Sequence, residues 1–93
     1  MEVWGWKLIT TGTTQLANGP VFIKTIIAWN ADSSTKMAKF YNEKTAATDN
    51  MFLTVYCDTK ANKVIMFDDP CQLDTGCSIV LEFTGLLVQY KPV

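Results

Sequence analysis

The sequence predicts an all-β fold, a small antiparallel β-sandwich of jelly-roll type with about seven strands. Three observations carry this expectation. Apolar residues recur with a period of two in run after run, as in Phe22, Ile26 and Ala28 against Ile23, Ile27 and Trp29. Turn-forming clusters separate these runs at intervals of roughly a dozen residues. Only residues 35–48 collect good helix formers, and there Phe40-Tyr41-Asn42 closes the first half as a strand ending in a turn residue.

Each element follows from local chemistry. Residues 3–10 form a first strand whose alternation puts Trp4, Trp6 and Leu8 on one face. Asn18-Gly19-Pro20 interrupts any ladder, because proline has no amide proton. In the next strand Val21, Ile23, Thr25, Ile27 and Trp29 share one side, and the polar residues 30–34 form the connector. Lys36, Ala38 and Phe40 share a face in the third strand, and residues 43–50 read as an irregular loop. Residues 51–57 are rich in aromatic and β-branched side chains and form the fourth. Residues 64–67 give a short fifth strand, which Asp68-Asp69-Pro70 is expected to end. Residues 78–83 and 86–90 form the last two, with Thr84-Gly85 as a tight hairpin between them. The expected core is Ile23, Ile27, Trp29, Phe40, Leu53, Val55, Phe67, Ile79, Leu81, Phe83 and Val88.

At 93 residues the chain makes one domain, 1–93, with residues 1–12 as a candidate docking strand. Folding a chain of this size hides roughly 64% of its unfolded surface, so the core is thin. The sequence has no His and no Arg, and all eight basic residues are Lys. The common general base, the commonest zinc ligand and the bidentate phosphate fork are therefore missing together. A net charge of −1 with scattered lysines argues against a nucleic-acid partner. Residues 1–7 offer no basic region followed by an apolar run, so no secretory leader is expected, and the longest uncharged stretch, 8–23, is broken by Gly12, Asn18, Gly19 and Pro20, so no membrane span is expected.

Catalysis finds no foothold. Asp68 and Asp69 are adjacent, so on a strand they point to opposite faces, and Asp32, Asp49, Asp58 and Asp74 fall in expected turns. No Gly-x-Ser-x-Gly, Cys–His pair or phosphate loop occurs. Neither an enzyme nor a cofactor or metal site is expected. Cys57 reads as a small buried hydrophobe, while Cys71 and Cys77 flank the turn 72–76 and could pair. An odd count of three fits free thiols made in a reducing cytosol.

Binding is the better expectation. The three Trp and three Tyr residues could build a sugar platform or fill the core. Trp29, at the end of an apolar face, is assigned to the core. Trp4 and Trp6 sit near a terminus on one face and suggest a strand docked on the domain itself, on a neighbouring subunit or on a larger assembly. Leu86, Leu87 and Val88 are apolar on both alternating faces, and are candidate interface residues for self-association.

Residues 21–30 lead into Met37-Ala38-Lys39-Phe40-Tyr41-Asn42 and Thr45-Ala46-Ala47. Met66-Phe67-Asp68-Asp69-Pro70 follows, then residues 73–85, then Val88-Gln89-Tyr90. This succession, over roughly residues 20–90, resembles the small β-sandwich structural proteins of tailed bacteriophages. It is a strand-and-turn signature and contains no catalytic motif. The chain departs from it at Cys77, where a large apolar residue is usual after the glycine. The resemblance implies a virion component, first a capsid decoration or cement protein bound to the major capsid protein. Head-fibre, tail or portal-associated accessories are the runner-up. It also implies assembly in the host cytoplasm, which suits unpaired thiols. The twelve threonines suit exposed strand faces. A small carbohydrate-binding module using its Trp residues is the alternative from another class.

Overall fold

The computed structural model describes residues 4–43 and 51–93. Most of the loop expected at 43–50 therefore lies outside the described residues, as does Val3. Every regular element among the described residues is a strand, and every pairing is antiparallel. The strands are β1 (Gly5–Ala17), β2 (Val21–Asn30), β3 (Lys36–Tyr41), β4 (Met51–Cys57), β5 (Ala61–Leu73) and β6 (Cys77–Pro92). They form one six-stranded sheet in the order β4-β3-β6-β2-β5, with β1 also on β6. One curled sheet of six strands thus stands where seven strands in a jelly-roll-like sandwich were expected.

The unifying element is β6, sixteen residues long. Along one edge β1 accompanies it from Gly5↔Tyr90 to Ala17↔Cys77. Along the other, its first part pairs with β3 (Ala38↔Leu81, Tyr41↔Ser78) and its second with β2 (Trp29↔Gly85, Val21↔Pro92). The sheet therefore has two halves that share β1 and β6. Between Thr10↔Gly85 and Gly12↔Leu81, Thr11 stands alone opposite residues 82–84. Gly12 takes φ 129°, which a side chain would resist, and the Thr11 hydroxyl donates to the Phe83 carbonyl at 2.7 Å. A bulge of this kind bends and twists both strands.

The bend lets the inner faces of both halves build one core. Phe40, Val55, Ile79 and Leu81 come from one half, and Ile23, Ile26, Leu86 and Val88 from the other; Phe83 is fully buried at the bend. The curl brings β4 near β2 and β5, and the chain measures 39 × 30 × 19 Å. Asn30 is a buried polar anchor at the end of β2. Its amide nitrogen donates to the Ser34 and Cys57 carbonyls, both at 2.9 Å, and its oxygen accepts from the Asp32 amide.

Three expectations need correction. Thr84-Gly85 is not a hairpin: Gly85 pairs with Thr10 on one side and Trp29 on the other, so one strand continues through the bend without reversing. Asp68-Asp69-Pro70 does not end the fifth strand. The pairs Ile23↔Cys71 and Thr25↔Met66 leave 67–70 as a bulge in β5, an edge strand where proline is tolerated. Finally, one extra residue in β2, Lys24, separates Ile23↔Tyr90 from Thr25↔Gln89 and reverses the alternation. Ile26 and Ala28 are buried in consequence, and Ile27 and Trp29 turn to the outer face, half-buried. Leu53 and Phe67 pack against the core from partly exposed positions.

Candidate functional site

The half-sheet β1-β6-β2-β5 carries an apolar outer face, and its rows can be read from the pairing. Trp6 stands beside Gln89, Thr25 and Met66. Leu8 stands beside Leu87, Ile27 and Val64. Thr10, Gly85, Trp29 and Asn62 form the next row. At the opposite end Lys91 pairs with Phe22, and its ammonium lies 5.2 Å from the ring of Trp4. Leu8 and Val64 are each 58% exposed, Trp6 50% and Met66 71%.

The two central rows contain no charged residue. Their two polar side chains are joined, the Thr25 hydroxyl donating to Gln89 Oε1 at 2.9 Å. This lowers the cost of drying the surface. The outer face of the other half is different. Its row Thr13, Val80, Lys39, Thr54 is mostly polar, and Glu82 is exposed beside it. Met37 and the exposed Tyr56 lie in the row beyond it, so apolar side chains are scattered on that face, whereas on the first half they run contiguously through the Trp6 and Leu8 rows, a patch of the kind that marks an interaction surface.

A cleft marks each end of the apolar face. One, of about 350 Å³, is lined by Trp29, Asn30, Ala31, Lys60 and Asn62. Here the six-membered ring of Trp29 lies against Gly85. The other, of about 300 Å³, is lined by Trp4, Phe22, Pro70 and Lys91. Lys24 and Lys91 both reach the Trp4 ring, at 5.4 and 5.2 Å, and Lys91 also lies 5.6 Å from Phe22. At an exposed site such a contact is worth about 0.5–1 kcal/mol.

The structure places the candidate residues unevenly. Trp4, Trp6 and Leu87 lie on the outer face. Leu86 and Val88 are fully buried in the chain's own core and offer nothing to a partner, because the bend at residues 82–84 resets the alternation. Trp29, assigned to the core, belongs to the outer face. Sequence reasoning missed Phe22, Ile27, Val64 and Met66. The available signal was that Val64, Ile65 and Met66 are apolar on both sides of a strand, which a thin sheet cannot bury internally.

Reactive chemistry is sparse. Cys57, Cys71 and Cys77 are free thiols. Burial pushes all three above the ordinary value, and Cys77, with Cys71 near it, up to about 12. Such thiols stay protonated at neutral pH and are poor nucleophiles. Asp68 and Asp69 are exposed in the β5 bulge. Among the described residues no three His, Cys, Asp or Glu groups gather to hold a metal, and no helix is long and apolar enough to cross a membrane. No protein-family model, curated protein or solved structure matches the chain.

Proposed function

We propose that this is a structural protein that acts by assembly, a bacteriophage virion component of the capsid decoration or cement kind. The observation that carries the reading is the apolar face of β1-β6-β2-β5, whose two central rows carry no charge, on a small domain whose thiols are held protonated. Such a module supplies contact area and a fixed shape. The resemblance of residues 20–90 to phage β-sandwich proteins supplies the setting, with the major capsid protein or another virion protein as partner. Head-fibre, tail or portal attachment differs only in where on the particle the module sits.

Co-sedimentation with purified particles tests this. Saturable binding in many copies supports decoration, and a few copies per particle support an accessory. A carbohydrate-binding reading is favoured by one feature, the Trp29 ring on Gly85 with Asn62 and Lys60 at its rim. Glycan binding by a chain that never sediments with particles would replace the virion reading.

A further inference from the structure

We propose that the apolar outer face is covered by a second copy of the same chain, packed face to face about a two-fold axis that runs across the strands. The inference rests on the assembly reading above and narrows it to one occupant. Area is the first ground. With strands about 4.8 Å apart and a two-residue repeat of about 6.8 Å, four strands and four rows span on the order of 500 Å² in projection. Two copies then cover on the order of 1,000 Å², the lower bound for a specific interface, before the relief of the Trp and Met side chains is added.

The second ground is fit. Sheet faces pack about 10 Å apart with interdigitating side chains. An axis across the strands lays β1 over the partner's β1 and the Trp6 row over the partner's Leu8 row. The larger Trp6 and Met66 then oppose the smaller Leu8 and Val64, and the contact repeats itself as an isologous interface must. Charge is the third ground. The central rows carry none, so neither copy buries an unpaired charge there. The same axis puts Lys24 and Lys91 at the partner's Trp29 and Gly85 end, where an ammonium can sit on an aromatic ring. An axis along the strands would instead lay each row over the same row of the partner, with Trp6 against Met66 and Leu8 against Val64, so that large meets large and small meets small and the faces interdigitate less well.

Sedimentation velocity and light scattering on the full chain should read twice the 10.4 kDa of one copy. Val64→Glu or Met66→Lys should each halve the mass while the strand-type circular dichroism persists. Thr13→Glu, on the polar outer face, should leave the mass doubled. Position 64 of one copy faces position 66 of the other, so mixing the Val64→Glu and Met66→Lys proteins should restore the double mass. A monomeric parent chain, or a dimer indifferent to substitutions at 64 and 66, overturns the second copy as occupant. A parent dimer whose two variants fail to pair overturns the axis. Monomers that still sediment with particles sink this inference and spare the virion reading. Dimers that never do so sink the virion reading alone.

Discussion

The six-membered ring of Trp29 lies on Gly85, its partner in the β2–β6 ladder, so closely that a Cβ added there would stand 2.2 Å from Trp29 Cζ2. The contact explains why a glycine sits in the middle of a sixteen-residue strand. The bare backbone gives the indole a flat seat, as aromatic residues often do for glycines in sheets. Gly85→Ala should therefore cost about 1–3 kcal/mol through overpacking. Trp29→Ala should cost less than the ~3–5 kcal/mol of a fully buried aromatic, since one side of the ring faces outward. In the double variant the two penalties should not add, because the clash vanishes with the ring. Urea denaturation of the four proteins measures the coupling.

Asn30 should be among the most sensitive polar positions. It is buried, and its side chain ties the β2–β3 connector to the end of β4. Asn30→Ala leaves the Ser34 and Cys57 carbonyls short of a donor, at a cost of about 1–3 kcal/mol. Asn30→Asp should be worse, because it aims a carboxylate at those two carbonyls. Thermal melts of both variants at neutral pH give the order.

The legible part of this fold was its strand chemistry. Residues 21–30, 36–41 and 51–57 are strands as their chemistry required, and the polar stretch 30–34 does connect the first two of them. The illegible part was where the alternation is reset. Nothing about Lys24 distinguishes a bulge residue from an ordinary strand residue, because the bulge is fixed by β5 and β6 on either side. Thr84-Gly85 offered the chemistry of a turn, and only the ring of Trp29 reveals another use for the glycine. Each reset moved residues between faces. Trp29 left the expected core and Leu86 left the expected interface, while Val88, expected in both, lies in the core. Trp4 and Trp6 precede every bulge in their strand, so simple alternation placed them on the outer face.

Alkali should destabilise the protein through Cys77. Burial raises this thiol from 9.0 to about 12 in the folded chain, with Cys71 adding to the shift. The folded state therefore holds a proton that the unfolded chain releases above pH 9.0. The contribution to stability is fully present below that pH and is lost as pH rises toward 12. Urea midpoints should fall over this window, and the slope should flatten in Cys77→Ala. An equally steep fall in that variant would assign the loss to other groups.

Neighbouring leucines on β6 should respond in opposite ways. Leu86 is fully buried with Ile9 beside it in the ladder, whereas Leu87 lies half-buried on the outer face between Leu8 and Ile27. Leu86→Ala removes packed core volume and should cost about 2–5 kcal/mol, with the upper end reached if the site cannot collapse. Leu87→Ser should cost the isolated chain less, on the order of 1 kcal/mol, since much of its surface already meets water. The ranking reverses for association. Leu87→Ser should weaken the contact made by the apolar face, while Leu86→Ala should act there only through stability. Measuring melting and sedimentation on both variants separates the two effects. Equal melting losses would mean that the bend at residues 82–84 does not set the faces of β6 as described, and that both leucines share the core.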